Sequence, residues 1–348
     1  RDRLAGLART AWENRAGAEQ KVVYDLAANP PGRSLETIAV PKGEVRGVSF
    51  SDGGRYMAAA ASDGNVQLWL TEDWVLHRVF KGHEAPVSHV RFGARATVLY
   101  TGGADGKIFK WDLSTGQGAE IVQLDAGVGA MAVTRDERNL AYASEVSNAI
   151  YVQDVVWGQT VRCLGHRGVV TDLAFSANGR YLASASEDGA AKYWDATGGD
   201  ALGTMGDGAT PVTAVALHPS APALASGDQE GRLVLWNLDN QRRMAASTFF
   251  HAAVTDIAFA PDGKSILAAG ADGRIALFGF PDLRLAGVYS EHAGPVLSLA
   301  IASKGDVFAS TSSDRRVKVW PLAEGVFGQP EGGGLAVSDL RRDGPTPV

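Results

Sequence analysis

The chain has 348 residues, 45% hydrophobic and 21% charged, which is too apolar for wholesale disorder and long enough for two average domains or one large all-β unit. A net charge of −6 gives no overall positive field to gather phosphates and argues against sequence-independent nucleic-acid binding. Cys163 is the only cysteine, so no intrachain disulfide or cysteine-based metal cluster can form; no run approaches the roughly eighteen apolar residues of a membrane span.

In chain order, Leu4, Leu7, Ala8, Ala11 and Trp12 come first, recurring at helical spacing with charges between them. This predicts an amphipathic segment over residues 1–33 that packs on the rest of the protein or on a neighbouring domain. The start at Arg1, without methionine, is expected to reflect a longer or processed precursor. Residues 22–26, Val-Val-Tyr-Asp-Leu, read as an edge strand or connector.

From residue 34 onward the sequence repeats. One copy runs Gly82-His83, Val87 to Phe92, Leu99 to Ala104, Asp105-Gly106 and Ile108 to Trp111-Asp112. A second runs Gly165-His166, Val169 to Phe175, Tyr181 to Ser186, Asp188-Gly189 and Trp194-Asp195. The closing residues Trp69, Trp111, Gln153, Trp194, Trp236, Phe278 and Trp320 are separated by 42, 42, 41, 42, 42 and 42 positions, giving seven copies. A period of about 40–45 residues is that of a four-stranded propeller blade. Runs such as Asn65-Val66-Gln67-Leu68-Trp69 have strand length and β-branched or aromatic bias. Asp52-Gly53, Asp63-Gly64, Asp105-Gly106, Asn178-Gly179, Asp188-Gly189, Asp262-Gly263 and Asp272-Gly273 supply the left-handed residue that tight turns need. Each unit is therefore a meander, and a single small meander cannot bury both of its faces, so the copies are expected to stack and close into a ring.

In this order and register, the Gly-His opening, the Asp-Gly turn and the Trp-Asp ending resemble the WD-repeat family over about residues 34 to 320. The resemblance implies an all-β, seven-bladed propeller of four-stranded antiparallel blades over residues 34–322; the glycine- and proline-bearing tail at 323–348 lacks strong periodicity and is expected to be a flexible extension. It also implies a ring closed by residues 34–40, Ser-Leu-Glu-Thr-Ile-Ala-Val, pairing with residues 317–322. A hydrogen-bonded tetrad is implied in three blades: His83, Thr101, Asp105 and Trp111; His166, Ser184, Asp188 and Trp194; His292, Ser310, Asp314 and Trp320. Other copies depart, with Pro41, Gly208 and Phe250 in the His place. The third copy lacks the His, the Asp-Gly turn and the Trp together, having Ser147-Asn148 and Gln153. That blade is expected to be the least stable or the most specialised.

Few residues are patterned for chemistry. His83, His166 and His292 share one repeat position, which favours a structural role; His77, His89 and His218 read as strand or turn residues, and His251 is expected near an exposed loop. The Asp-Gly pairs lack the acidic ladder of a calcium loop, and no phosphate cradle, nucleophile elbow or His-Glu-x-x-His occurs. No set of acidic, histidine or metal-binding residues is expected to converge on the central channel, so an enzyme is disfavoured and no cofactor, metal or small-molecule substrate is expected. The resemblance implies docking of protein or peptide partners on the loop face, where Glu84, Arg167, Glu187, Gln229, His251, Arg274, Arg315 and Arg316 fall. Trp74 and Trp157, outside the closing positions, are expected either to cover a blade edge or to anchor a partner. A recruitment module of a larger protein is a compatible reading, and a cytoplasmic location is expected.

Overall fold

The computed structural model describes residues 32–40, 42–93, 96–206 and 208–322. The helical-pattern segment before residue 32, residues 22–26, Pro41 and the tail after Leu322 lie outside the described residues.

Each repeat folds as its turns dictate. In blade 2 the strands Val87–Phe92, Val98–Gly103, Lys107–Asp112 and Gly118–Gln123 pair in sequence as an antiparallel meander. Seven such four-stranded sheets occur, over residues 45–81, 87–123, 128–163, 170–206, 212–247, 254–289 and, for the seventh, 296–321 with Glu36–Ala39. The first strands of successive blades touch one another around the ring, so they form the wall of a central channel, and the fourth strands lie outermost. Because the strands alternate in direction, the turns between second and third strands and the loops between blades share one face, called here the loop face. The other two turns of each blade lie on the opposite, lower face.

The core is not one cluster but seven, each lying between two neighbouring blades. Ala58, Ala60, Val66, Leu68 and Phe80 of blade 1 meet Val87, Val90, Leu99 and Trp111 of blade 2. Likewise Ile150, Val152 and Cys163 of blade 3 meet Val170, Leu173 and Trp194 of blade 4. Burial pushes the Cys163 thiol up to about 11, as expected for a residue that packs as a small hydrophobe. Every blade carries one local irregularity at the same place. The register of the first two strands slips at Val45/Gly47, Val87/His89, Val128/Ala130, Val170/Asp172, Val212/Ala214, Val254/Asp256 and Val296/Ser298. A bulge there bends the innermost strand and increases its local twist.

Ring closure is made by Glu36–Ala39, which pairs antiparallel with Val319 to Arg316. The pairing is shorter at its far end than the sequence predicts, stopping at Val319, because Pro321 has no N–H to offer an added strand. The closing strand is fixed by polar contacts as well. Lys318, 5% exposed, sends Nζ to Glu291 Oε2 at 3.1 Å and to Thr37 Oγ1 at 3.3 Å. Ser34 Oγ donates to the same Glu291 oxygen at 2.6 Å. Burial alone would raise the Glu291 pKa, but the bonds from Ser34 and Lys318 outweigh it and hold the carboxyl below its usual range.

Two outcomes are expected. Removing residues through Val40 should abolish the single cooperative urea transition, whereas truncation after Leu322 should leave its midpoint unchanged. Lys318→Ala should cost about 1–3 kcal/mol by chemical denaturation, because it leaves Glu291 and the closing strand's hydroxyls without their cation.

Candidate functional site

The loop face is assembled from the turns that the repeat motif encodes. In blade 2, His83 Nδ1 lies 3.0 Å from Asp105 Oδ1, His83 Nε2 lies 2.8 Å from Thr101 Oγ1, and Trp111 Nε1 donates to the same hydroxyl at 2.9 Å. Blade 4 repeats the pattern with His166, Asp188, Ser184 and Trp194 at 2.8, 2.7 and 2.8 Å. In blade 7, His292, Asp314, Ser310 and Trp320 do so at 2.9, 2.7 and 2.8 Å. The structure therefore brings together all three predicted sets. A side chain at Gly103 would meet His83 Nδ1 at 2.6 Å, so this position next to the blade 2 set leaves no room for a Cβ.

The electrostatics of each set follow from its burial. Desolvation drives all three histidines below their ordinary pKa, and it outweighs the opposing pull of the Asp partner. Burial would raise Asp105, Asp188 and Asp314, but the N–H and imidazole bonds they accept hold each below the usual carboxylate range.

One of those bonds matters for presentation. The backbone N–H of the residue after the His position donates to the turn Asp: Glu84 to Asp105 at 3.0 Å, Arg167 to Asp188 at 2.8 Å, His251 to Asp272 at 3.0 Å and Ala293 to Asp314 at 3.1 Å. The main chain is thereby pinned while Glu84, Arg167 and His251 point their side chains to solvent. Glu187, Gln229, Arg315 and Arg316 are exposed on the same face, with Arg315 held at φ +65°.

Arg274 behaves differently from its expected group. Its guanidinium bonds Asp272 Oδ2 at 2.6 Å and the Phe249 carbonyl at 3.1 Å, and it lies 4.5 Å from the centroid of the Phe249 ring. Arg232, at the matching position of blade 5, bonds Asp228 Oδ2 at 2.6 Å and Thr210 Oγ1 at 3.0 Å. In blade 6, where Phe250 replaces the His, Arg274 thus takes over as partner of the turn carboxylate; in blade 5, with Gly208 in the His place and Glu230 at the turn, Arg232 pairs with Asp228, two residues before the turn position. Arg274 is engaged within its own blade.

Trp74 and Trp157 are placed differently. Trp74 packs on the cluster between blades 7 and 1, whereas Trp157 is 75% exposed. His77 lies against Tyr56, and His218 accepts the N–H groups of Ser220 and Ala221 on Nδ1 while Nε2 meets the Gly263 carbonyl.

His89 of blade 2, Asp172 of blade 4 and Asp256 of blade 6 occupy the position just after the inner bulge, and Arg91 lies two residues beyond His89. Burial and then the charge of Asp256 push Asp172 up to about 7, with Arg91 opposing. Burial and then Arg91 push His89 down to about 3. Their shared place in the 42-residue register was the available signal, obscured because Gly47, Ala130, Ala214 and Ser298 fill it elsewhere. Both carboxylates are engaged with backbone: Asp172 accepts from Leu173 and Val215, Asp256 from Ile257 and Leu299, tying each blade to the next. Among the described residues no group of three His, Cys, Asp or Glu side chains is arranged to hold a metal ion.

The sequence profile of the WD domain, G-beta repeat, matches residues 32–69, 74–112, 158–195, 199–237, 245–278 and 283–321. The chain belongs to the WD-repeat family. The stretch without a match, between residues 112 and 158, contains most of blade 3. Among curated relatives, a periodic tryptophan protein 2 homolog of Dictyostelium discoideum is 31% identical over 42% of this chain and 17% of its own length. COMPASS component SWD3 of Saccharomyces cerevisiae is 27% identical over 53% of this chain and 61% of its own. U3 small nucleolar RNA-associated protein 21 of the same yeast is 28% identical over 54% and 20%. In each case the match spans less than two thirds of the relative. Among the described residues no helix is long and apolar enough to cross a membrane.

For this WD-repeat chain the pH dependence of the three tetrads has a definite sign. Three histidines with lowered pKa and three aspartates with lowered pKa all bind protons less tightly folded than unfolded. Their contribution is complete above the unfolded histidine value, about 6.5, and is lost progressively as pH falls. The difference in urea midpoint between the parent and His166→Gln should therefore hold constant from neutral pH to 8 and narrow toward pH 5, while Asp172 and Asp256, whose raised pKa values act in the opposite sense, affect both proteins alike. Ser184→Ala should cost about 1–3 kcal/mol for each of the two groups it strands, His166 Nε2 and Trp194 Nε1.

Proposed function

We propose that this propeller is a non-catalytic platform that docks other proteins or peptides on its loop face. The reading rests on one observation: the turn carboxylates pin the main chain of Glu84, Arg167 and His251 while their side chains remain exposed, Glu84 with the Lys107 ammonium 3.6 Å from its carboxylate. Groups held in this way lose little conformational freedom on binding, which is what a recognition surface needs. Glu84, Arg167, Glu187, Gln229, His251, Arg315 and Arg316 form the contact set, with charges of both signs, so specificity comes from charge complementarity around the opening. Arg274 contributes through the blade 6 scaffold, because Asp272 and Phe249 already occupy it.

Names of relatives that refer to a complex component or an RNA-associated protein fit a role in assemblies. They also fit a second reading, in which the propeller is the recruitment module of a larger protein. A channel enzyme is the weaker alternative, since Asp172 and Asp256 spend their oxygens on backbone N–H groups. Cytoplasmic residence is compatible with a single buried thiol that calls for no oxidising compartment.

The test is capture of partners by the full chain, quantified by mass spectrometry, against the variant Arg167→Glu/Arg315→Glu/Arg316→Glu. Capture should fall by about tenfold or more with the unfolding midpoint unchanged. Undiminished capture by the triple variant would remove this face from consideration.

A further inference from the structure

Blade 7 has an open outer edge beside an apolar groove, and loop-face docking uses neither. The closing strand Glu36–Ala39 ends its sheet: Arg316–Pro321 fills its inner edge, and among the described residues no strand lies on its outer one. Val40 N–H donates to the Arg315 carbonyl, so by alternation Thr37 and Ala39 turn their peptide groups outward. The Thr37 N–H is met there by the adjacent Glu36 Oε1 at 3.0 Å, a side-chain oxygen standing where an added strand would bring a carbonyl.

The groove lies on the side of this edge that faces blade 1. Leu35, Ile38 and Trp74 pack half-buried on the cluster between blades 7 and 1. Val79, on the outermost strand of blade 1, points the same way. It pairs with Gln67, which pairs with Ala59 of that cluster, and side chains opposite one another share a face. Val79 is 36% exposed, and Val75 and Leu76, which follow Trp74, are 53% and 48% exposed. Val75 stands six residues after Trp69, at the position that Gln117, Gln159, Asp200, Arg242 and Arg284 hold in blades 2 to 6. The corner of blade 1 beside the closing strand is thus apolar where the repeat is otherwise polar. The charged residues that share these faces, Glu36 with Ile38 and Lys81 with Val79, have opposite signs, so charge does not choose what covers the groove.

The course of the chain does. The closing strand enters from the lower face, with Glu36 opposite Val319 and Ala39 opposite Arg316. Just before it Gly32 takes φ +82°, a turn conformation, and Asn29-Pro30-Pro31-Gly32 has turn composition. A chain reversed at that point runs back along the closing strand, where only the outer edge is free. Residues 22–26 come next upstream. Val22, Tyr24 and Leu26 alternate with Val23 and Asp25, so in an extended run those three apolar side chains share one face. The tail beyond Leu322 leaves from the third strand of the same blade and lacks strong periodicity.

We propose that residues 22–26 add to the outer edge of Glu36–Ala39 as a fifth, antiparallel strand of blade 7, laying Val22, Tyr24 and Leu26 into the groove formed by Leu35, Ile38, Trp74, Val75 and Val79. The added strand takes the outward peptide groups of Thr37 and Ala39, displaces the Glu36 carboxylate and covers the apolar corner of blade 1. A short tether gives the segment a high effective concentration at this edge, so a strand of five residues suffices. The closing strand is then held from both sides.

The test is hydrogen exchange read by mass spectrometry on the full chain. Amides of residues 22–26 should exchange about tenfold or more slowly than those of a synthetic peptide of residues 17–31. With Tyr24 facing the groove, Val23 lies opposite one of the outward residues, so Val23→Pro removes a ladder donor. Val75→Ser/Val79→Ser makes the groove polar. Each variant should return residues 22–26 toward the peptide's rate while the amides of Arg316–Pro321 stay protected.

Exchange of residues 22–26 at the peptide's rate in the parent would overturn the proposal. So would protection that survives Val75→Ser/Val79→Ser, which moves the segment to another surface. Protection that falls on dilution would do the same, by giving the groove to the matching segment of a second copy.

Discussion

A four-stranded sheet with two apolar faces has nowhere to hide them except against its neighbours, and this constraint governs the molecule. The seven clusters of buried side chains each lie between consecutive blades, so no blade holds a complete core of its own. Burial on both sides of every sheet requires the ring to close. Closure depends on a four-residue strand from the start of the propeller, Glu36–Ala39, with Lys318 and Glu291 fixing it from the other end of the chain. A local contact far from the loop face thereby decides whether that face exists.

Within this ring the turn carboxylate is the element that links fold to presentation. It accepts the imidazole of the same blade and the main-chain N–H next to it, so one buried charge both completes the tetrad and orients an outward-facing residue. Blade 6 reaches a similar end by another route, with Arg274 satisfying the turn carboxylate, and in blade 5 Arg232 satisfies Asp228, two residues before the turn position. The two solutions differ in their response to acid. A guanidinium stays charged across the accessible pH range, whereas a buried imidazole with a lowered pKa must accept a proton against its surroundings.

Much of this was legible in the sequence because it repeats. Seven copies in fixed register imply seven blades, and the spacing from His166 to Trp194 recurs in the other two tetrads, which the structure brings together. What escaped were features carried by single copies. Arg274 has the same type and place as a loop-face contact, and only coordinates reveal that Phe249 lies under its guanidinium. Asp172 and Asp256 share a register position, but small residues fill it in most other copies, so no pattern flags the pair. Arg91 of blade 2 and the two aspartates of blades 4 and 6 stand on innermost strands within range of one another's charge, a relation set by ring closure and invisible to local spacing.

Blade 3 shows how far one repeat can drift when its neighbours hold it. It lacks the His, the Asp-Gly turn and the Trp, having Ser147-Asn148 at its turn and Gln153 at its close, and it falls in the gap between family matches. Its compensations are of a different kind. Tyr142 and Tyr151 stack at 5.6 Å, and Asn148 Nδ2 reaches the His166 carbonyl of blade 4 at 3.0 Å, borrowing the neighbour's ordered loop. Because each face of the sheet is buried against an adjacent blade, losing the internal tetrad removes a latch but not the core. A repeat relieved of that latch is still bound by its turns, whose backbone frame is unchanged, yet its exposed tips are free to vary without unfolding the ring. Selection for stability alone would leave those tips polar, as in blades 2 and 5. Val156 and Trp157 occupy them in blade 3 on the same Asp154 frame, so the change alters the surface and leaves the turn as it was.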